Sequence, residues 1–241
     1  MESLDLSEGI SREARDLLNL YTGWTYRLFN TILKYDKFPP NWKDHWNFTV
    51  LGDRFEMGSQ AKIKAAVRAK AQIMQEAILA SRTPAGPRIL YRSASDRELK
   101  SVRTGQTLKA SAFVSTSTSL REAVKFWDAG VGSRGTVKRV WRLILPAAAA
   151  SLYVDAFSRN KGEKEVLLPY GATFTIQSIA KVEPFFEVGY WRNDHYKMSV
   201  DEAKEVKKVM QWHTRNSLHG MAVNQLVTAT VTTPKVRIPL S

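Results

Sequence analysis

The chain has 241 residues, of which 44% are hydrophobic and seven are tryptophan, a composition that indicates a globular protein with a sizeable core. It contains no cysteine, which excludes disulfides, thiolate metal sites and cysteine nucleophiles. Its 36 Lys and Arg against 23 Asp and Glu give a net charge of +13, which favours polyanionic partners such as nucleic acid, although general solubility explains the charge equally well.

The first residues, 1–16, carry acidic side chains and no apolar stretch, so we expect no signal peptide. No window of the sequence approaches the roughly 18 apolar residues of a membrane-spanning helix. We therefore expect a protein that acts in the cytoplasm of the producing or host cell, without membrane association.

Two amphipathic helices are predicted in the first third of the chain. Apolar residues recur at helical spacing over residues 10–33 and again over residues 59–81, and we expect Gly23 to bend or split the first helix. The prolines within residues 83–87 end the second helix. Residues 1–85 are therefore predicted to form an N-terminal helical region.

After that break, the pattern changes to short runs of β-branched and aromatic residues. Strands are predicted at residues 88–92, 112–116, 136–145, 165–168, 173–182 and 226–232. A further helix, opened by Ser199 and Glu202 as a capping box, lies between the last two strands. Helices followed by strands indicate an α+β fold, with a β core over residues 86–241 and a helical insertion at about residues 184–220. That insertion either recognises a target or covers a sheet edge.

Three short stretches carry polar side chains that suit one reaction. Tyr91 and Arg92 end the first predicted strand. The Phe-Val-Ser-Thr-Ser run of residues 113–117 ends the second, and residues 162–169 lead into a later one. Each stretch alone is common, but together they provide a cation, hydroxyl groups and carboxylates.

Cleavage of a glycosidic bond, such as the bond between nicotinamide and ribose, needs these groups because the sugar becomes cationic in the transition state. Glu165 can stabilise that positive charge, and the planar guanidinium of Arg92 suits phosphate oxygens. The hydroxyl groups that can orient the ribose and brace the glutamate belong to Ser115, Thr116 and Ser117.

A second carboxylate, Glu163, lies two residues before Glu165. In an extended segment, positions two apart project to the same side. Glu163 can then take a proton from the incoming nucleophile while Glu165 stabilises the sugar. The alternative is a solvated turn in which Lys161 and Lys164 pair with these acids.

This set of residues resembles the arginine–serine–glutamate class of mono-ADP-ribosyltransferases, which occurs among bacterial toxins, effectors and tailed bacteriophages. The matching stretches are residues 89–92, 113–117 and 163–171, and the resemblance extends over roughly residues 60–182. It implies an α+β fold in which N-terminal helices pack on a split β-sandwich. It also implies NAD as co-substrate in the cleft between the sheets, and no metal.

The resemblance further implies individual roles. Arg92 would bind an NAD phosphate, Ser115 would organise the pocket, and Glu165 would be the indispensable catalytic residue. Glu163 would set arginine specificity, since relatives with Gln at this position modify asparagine. The NAD pocket would also include Tyr91, Thr116 and Ser117.

A nicotinamide-facing loop is also implied after the Ser-Thr-Ser strand. Phe126 or Trp127 would stack on nicotinamide there, and Arg134 would reach a phosphate; alternatively, the two aromatic residues are the buried face of a helix. Residues 130–135 match the dinucleotide fingerprint Gly-x-Gly-x-x-Gly by letter. A helix precedes them and a strand follows, which is the reverse of the context that binds pyrophosphate, so we interpret them as a loop.

Two positions depart from the family pattern. Many relatives carry an Asn where this chain has Ala112, and an aromatic residue where it has Asn160, for which Phe157 can substitute. These departures affect the choice of protein target and leave NAD cleavage in place.

The predicted function is transfer of ADP-ribose from NAD to arginine side chains of target proteins. Transcription or translation components are the candidate targets, given the basic charge. Two alternatives remain open: a basic nucleic-acid- or ribosome-binding protein whose transferase fold is inactive, and a pure NAD glycohydrolase. The former predicts salt-sensitive nucleic-acid binding without NAD turnover, and the latter predicts free ADP-ribose without labelled protein.

Overall fold

The computed structural model describes residues 9–40, 59–81, 88–95, 102–125, 138–181, 199–202, 204, 205, 208 and 223–234. Helix α1 spans Arg12–Leu20, α2 spans Tyr26–Tyr35, α3 spans Gln60–Ala80 and α4 spans Leu120–Lys125. The strands are β1 (Arg88–Ser95), β2 (Thr107–Lys109), β3 (Val114–Ser117), β4 (Lys138–Leu145), β5 (Leu152–Tyr153), β6 (Glu165–Leu168), β7 (Thr173–Lys181) and β8 (Val223–Thr232).

The break between α1 and α2 lies at Gly23, as the sequence predicts. Residues Tyr21–Thr25 form a π-helical turn in which Gly23 has non-helical backbone angles (φ −90°, ψ −130°). Helix α1 begins after Ser11, whose hydroxyl accepts a hydrogen bond from the Ala14 amide at 3.1 Å, as expected for an N-cap serine. The first predicted helix is therefore two helices joined by a kink.

Helices α2 and α3 are joined by charged groups. Asp36 follows α2 in the left-handed conformation (φ 51°). Its carboxylate lies 2.6 Å from Arg68 Nη2 and 3.0 Å from Lys64 Nζ of α3. Hydrogen bonds from Arg68 and Lys64 lower the pKa of Asp36. Because this carboxylate is exposed, the contact orients the end of α2 more than it stabilises the fold.

The N-terminal helices pack on the sheet around one apolar cluster, called the helical core below. Its buried members come from the three N-terminal helices, the kink, the residues before β3, and β5 and β6: Leu17, Leu18, Tyr21, Leu28, Phe29, Ile32, Leu33, Ile63, Val67, Ala71, Met74, Ile78, Ala112, Phe113, Leu152, Val154 and Leu167. The buried amide of Gln75 accepts from the Tyr170 N–H at 2.9 Å and donates to the Tyr170 carbonyl at 3.1 Å. The polar group on this face of α3 is thereby satisfied.

Within the described residues, the strands form one sheet in the order β2-β7-β8-β4-β1-β3-β6-β5. Strands β4 and β8 run parallel, and the other neighbours run antiparallel. The six predicted strands are confirmed with small shifts at their ends. Strands β2 and β5 were not predicted, because three and two residues are too few for a period-two pattern to show.

The sheet folds back on itself into two layers. Val166 and Leu168 of β6 share an apolar cluster with Phe174 and Ile176 of β7, although four strands separate β6 from β7 in the sheet. Contact between strands so far apart requires a curled, sandwich-like sheet. Leu167 points the opposite way, into the helical core. The structure therefore has the predicted α+β architecture, in which the N-terminal helices pack against the outside of a curled sheet.

Part of the predicted insertion is described, and it is bonded to the sheet. Ser199 accepts a hydrogen bond from the Glu202 amide at 3.1 Å, which is the serine half of the predicted capping box. The Glu202 carboxylate instead accepts from Arg142 of β4 at 2.8 and 3.0 Å and from the Tyr91 hydroxyl of β1. The prediction that this glutamate serves its own helix is therefore wrong, because the buried Arg142 requires a carboxylate partner.

In the part of the chain that the structure describes, no helix combines the length and the apolar character needed to cross a membrane. Helix α3 has 21 residues but carries Lys and Arg side chains along its length. The division of the chain at residues 85 and 86 stays a prediction, as does the extent of the insertion at 184–220.

Candidate active site

Strand pairing brings the three predicted stretches together. Strand β1 pairs with β3 at Tyr91 and Ser117. Strand β3 in turn pairs with β6, with Ser117 opposite Glu165 and Ser115 opposite Leu167. Residues that are far apart in sequence thus lie on three adjacent strands. Residues directly opposite each other in an antiparallel pair lie on the same face, so Ser115, Ser117 and Glu165 share one face of β3 and β6.

Arg92 follows Tyr91 on β1, and its positive charge lies close enough to Glu165 to act on that carboxyl group. It is half-buried, and its Nη1 donates a hydrogen bond to the Ser115 carbonyl at 2.8 Å. The neighbouring Tyr91 is buried, and its hydroxyl donates to Glu202. Burial and this hydrogen bond raise the pKa of Tyr91 above its ordinary range. The guanidinium is therefore held against β3, whereas the tyrosine holds β1 to the insertion.

The Ser115 hydroxyl connects Glu165 to a residue that the sequence did not single out. It lies close enough to the Glu165 carboxyl group and to the Tyr21 hydroxyl to lower the pKa of each. Tyr21 is fully buried and donates to Asn30 Oδ1 at 3.1 Å. Its ring stands edge-on to Phe113, with ring centres 5.7 Å apart. Tyr21 is one of the residues of the helical apolar pattern predicted over residues 10–33. A tyrosine in such a pattern carries a hydroxyl that needs a polar partner, which is the one signal the sequence offers.

Thr116 and Ser117 bind the backbone of the segment that carries the glutamates. Thr116 Oγ1 donates to the Val166 carbonyl at 2.7 Å, and Ser117 Oγ donates to the Glu163 carbonyl at 2.7 Å. Ser117 Oγ also accepts from the Ser119 amide at 3.0 Å. These hydroxyls hold the backbone on either side of Glu165, and contact of either residue with NAD stays a prediction.

Glu165 is a buried carboxyl group at the first position of β6. Only 6% of its surface is exposed, so the solvated-turn alternative is wrong for this residue. Burial raises the pKa of Glu165 to about 7, and the hydrogen bond from Ser115 opposes the increase. The negative charges of Glu163 and Asp155 raise this pKa further, and Arg92 lowers it. Glu165 is therefore close to half-ionised at neutral pH.

Glu163 is half-buried and lies in a turn, where we expected an extended segment. The expectation is wrong because Gly162 (φ 93°) and Lys164 (φ 52°) both have left-handed backbone conformations. The turn is closed by Asp155, whose carboxylate accepts from the Gly162 amide at 3.1 and 3.2 Å and from the Lys164 amide at 2.9 Å. The turn still leaves Glu163 close enough to Glu165 for its charge to act on that carboxyl group.

Several predicted site residues lie outside the described residues. They are Phe126, Trp127, Arg134 and the glycine-rich residues 130–135, and their roles stay predictions. The positions upstream of the glutamates that depart from the family pattern are described. Asn160 donates to the Thr22 carbonyl at 3.1 Å, and Phe157 packs against the helical core.

The site thus combines a buried carboxyl group, a hydroxyl beside it, a second carboxylate and a guanidinium. The buried carboxyl group can stabilise a positive charge in a place that excludes most water. The second carboxylate can accept a proton. The guanidinium suits a phosphate. These are the requirements of glycosyl transfer from a substrate that carries phosphate groups.

Comparison with solved structures identifies the fold. The ATR domain of Salmonella SpvB superposes with a TM-score of 0.63 at 16% identity, and the alignment covers 92% of this chain and 100% of that chain. The ADP-ribosyltransferase Vis of Vibrio splendidus, in complex with agmatine, superposes with a TM-score of 0.57 at 15% identity, covering 95% of this chain and 78% of the other. BECa is the ADP-ribosylating toxin of a Clostridium perfringens binary enterotoxin, and its structure with NADH superposes with a TM-score of 0.57 at 17% identity. The alignment covers 94% of this chain and 45% of that chain.

At the sequence level, no curated protein matches significantly. A family model for ADP-ribosyltransferase exoenzymes, however, matches residues 2–207. This match covers most of the chain and includes all three stretches that meet in the site. The chain therefore belongs to the ADP-ribosyltransferase exoenzyme family.

Proposed function

We propose that the protein transfers ADP-ribose from NAD to arginine side chains of target proteins and releases nicotinamide. The observation that carries the proposal is the pair of carboxyl groups at the start of β6, with Glu165 buried and Glu163 half-buried beside it. One carboxylate is sufficient to stabilise a cationic sugar. A guanidinium nucleophile must also lose a proton, and the second carboxylate serves as the base for this step.

In the proposed reaction, the bond between ribose C1′ and the nicotinamide nitrogen breaks. Its electron pair leaves with nicotinamide, which becomes neutral. The ribose carbon is cationic at this point, and the ionised Glu165 stabilises it. A nitrogen of the target guanidinium then bonds to that carbon, and the proton that it loses passes to Glu163.

Arg92 supports binding of the NAD pyrophosphate. A guanidinium has five N–H donors, and the hydrogen bond to the Ser115 carbonyl fixes the orientation of this one. A guanidinium that is already fixed loses less conformational freedom when it donates to phosphate oxygens. The other residues that we propose for the NAD pocket are Tyr91, Ser115, Thr116, Ser117, Phe126 and Arg134.

Two of the similar structures support the proposed substrates. Vis is bound to agmatine, which carries the guanidinium group of arginine, and BECa is bound to NADH. These ligands belong to those proteins. Since the three chains share one fold, the ligands favour a nicotinamide dinucleotide and a guanidinium compound as the first substrates to test on this protein.

The proposal is tested by incubating the protein with adenine-labelled NAD and a cell lysate, and in parallel with agmatine as a small acceptor. We expect label on discrete lysate proteins and on agmatine. The Glu165→Gln variant should lose both transfer and NAD hydrolysis. The Glu163→Gln variant should lose transfer and keep part of the NAD hydrolysis, because the sugar cation is still stabilised.

Each rival function has its own outcome in this experiment. Full transfer by Glu163→Gln would remove the role that we give to this residue. Free ADP-ribose without labelled protein or agmatine would identify a pure NAD glycohydrolase. No NAD turnover, together with steeply salt-dependent nucleic-acid binding, would identify an inactive transferase fold that serves as a basic binding protein.

For the protein targets, we propose acidic or nucleic-acid-associated proteins, including components of transcription or translation. The net charge of +13 attracts such partners and speeds their encounter with the enzyme. An association with nucleic acid through the same basic surface would bring the enzyme to its targets.

A further inference from the structure

The kink between α1 and α2 is bonded to the loop that precedes the two glutamates. This loop, residues 155–164, is called the glutamate loop below. The connecting hydrogen bonds run from Asn19 Nδ2 to the Phe157 carbonyl (2.7 Å), from Arg159 Nε to Asn19 Oδ1 (3.1 Å), from the Arg159 amide to Thr22 Oγ1 (3.2 Å) and from Asn160 Nδ2 to the Thr22 carbonyl (3.1 Å). Two short segments from distant parts of the chain are thus joined side by side.

Gly23 provides the space that this contact requires. A Cβ atom at Gly23 would lie 3.0 Å from Arg159 Cδ, which is closer than an ordinary van der Waals contact. The kink at this glycine also interrupts the helical ladder, and backbone groups near such a break are open to donors from elsewhere. The Thr22 carbonyl takes its bond from Asn160 there.

The glutamate loop is therefore held at both ends by different parts of the molecule. At its carboxyl end, the β3–β6 ladder fixes Glu165, and Ser117 binds the Glu163 carbonyl. In its first half, the bonds from residues 19–22 fix residues 157–160. Asp155 joins the two halves by accepting from the amides of residues 162 and 164.

This division separates the two carboxyl groups. Glu165 belongs to a strand and is fixed by its ladder and by burial. Glu163 precedes the strand, so the position of its side chain depends on the turn and on whatever holds the loop upstream. Loss of the contact to the kink should displace Glu163 more than Glu165.

We propose that residues 19–23 are a positioning element for the acceptor: they fix the glutamate loop and thereby set where Glu163 meets the incoming guanidinium. This inference rests on the proposed function, in which Glu163 acts on the acceptor and Glu165 on the sugar. It assigns to the N-terminal helices a role in selecting the nucleophile, in addition to their part in the core.

The test compares three variants of the full chain with one control elsewhere. Asn160→Ala removes the bond to the Thr22 carbonyl, and Thr22→Val removes the hydroxyl that accepts from the Arg159 amide. Thr22→Ser retains that hydroxyl and serves as the conservative control. Gln72→Ala, which removes a surface amide of α3 bonded to Glu76, is the control for loss of an amide side chain outside this contact.

For each variant, kcat/KM is measured for transfer to agmatine and for NAD hydrolysis in the absence of acceptor. Because small misplacements of reacting groups are costly, Asn160→Ala and Thr22→Val should lower transfer roughly tenfold while hydrolysis falls less than about twofold. Thr22→Ser and Gln72→Ala should leave both rates close to those of the parent protein. Hydrogen exchange at the amides of residues 157–164 should be faster in Asn160→Ala and Thr22→Val.

An equal loss of transfer and hydrolysis in these two variants, or unchanged exchange in the glutamate loop, would overturn the inference while leaving the proposed function intact. If the unsubstituted protein hydrolyses NAD but labels no acceptor, the proposed function fails first and the inference falls with it. Agmatine is used because it reports on the position of Glu163 without a protein docking surface.

Discussion

At the scale of single residues, Glu165 combines two demands that oppose each other. Burial raises its pKa to about 7, yet the reaction that we propose uses its ionised form. Ser115 and Arg92 limit the increase, through a hydrogen bond and a positive charge respectively. A carboxylate that water does not solvate interacts strongly with a cationic sugar. The burial that makes Glu165 harder to ionise thus also strengthens its attraction to the cationic sugar in the transition state.

The same shift predicts how stability depends on pH. Folding raises the pKa of Glu165 from its ordinary value of 4.5 to about 7. The folded protein therefore favours the protonated form of this carboxyl group. The stabilisation that this provides is fully present below about pH 4.5 and is lost as the pH rises through about 7. From about pH 4.5 to about pH 9, the parent protein should lose about 3 kcal/mol of unfolding free energy relative to the Glu165→Gln variant, which has no carboxyl group to ionise at this position.

Urea unfolding of both proteins at the two pH values measures this loss. Because the same two proteins are compared at each pH, the titration of groups that they share cancels in the difference. A difference between the two proteins that does not change with pH would mean that the buried carboxyl group is not the source. In the parent protein, kcat/KM for NAD hydrolysis should fall as the pH decreases below about 7.

Site residues could be predicted from the sequence where they lie in short stretches that combine a strand pattern with polar side chains. Arg92, Ser115 and Glu165 lie in or at the ends of predicted strands, so their spacing was informative, and the structure joins them. Tyr21 could not be predicted as a site residue, because its contact with Ser115 arises only when the helical core packs on β3. Periodicity correctly made it a core residue and said nothing about its hydroxyl.

At the scale of elements, the described part of the insertion is tied to the sheet through Glu202. Arg142 of β4 is 4% exposed, and its Nε lies 2.8 Å from Glu202 Oε1, whose side chain is 19% exposed. The hydroxyl of Tyr91, the residue before Arg92, bonds to the same carboxylate. Removing one partner of a buried pair leaves an uncompensated charge.

We therefore expect Glu202→Gln to lower the free energy of unfolding by about 3 kcal/mol or more. Asp201→Asn, at the exposed neighbouring carboxylate whose Oδ1 lies 3.7 Å from Lys204 Nζ, should change it little. Urea unfolding of both variants provides the comparison. Equal stabilities for the two variants would show that the Arg142 pair does not hold the insertion on the sheet.

The elements also show where prediction from sequence patterns fails. Long strands such as β4 and β7 carry enough β-branched and apolar residues to be recognised. The turn before β6 could not be predicted, because Lys164 adopts a left-handed conformation that is uncommon outside glycine and asparagine. That conformation is stabilised by Asp155, nine residues upstream, and neither residue signals it alone.

At the scale of the whole molecule, the net charge of +13 predicts different salt responses for two steps. Encounter with an acidic or nucleic-acid-bound target depends on long-range attraction, which salt screens. Transfer to agmatine does not need that attraction. Raising the salt from about 50 to about 300 mM should lower labelling of lysate proteins roughly tenfold or more and lower agmatine transfer much less.

Parallel assays with one enzyme preparation and one NAD concentration make this comparison. The same loss in both assays would assign the salt effect to NAD binding or to the chemical step. Target recruitment through the basic surface would then be ruled out. Little loss in either assay would favour the interpretation that the charge serves general solubility.

The place of β8 in the sheet has a consequence for how the protein is made. This strand lies between β7 and β4, so it joins β2 and β7 to the strands that carry the candidate site. It is also the last of the described strands to leave the ribosome. Until it pairs, the sheet lacks its parallel β4–β8 ladder and cannot close around its inner apolar cluster. We therefore expect the two parts of the sheet to be joined only late in synthesis, after the strands that carry the candidate site have already left the ribosome.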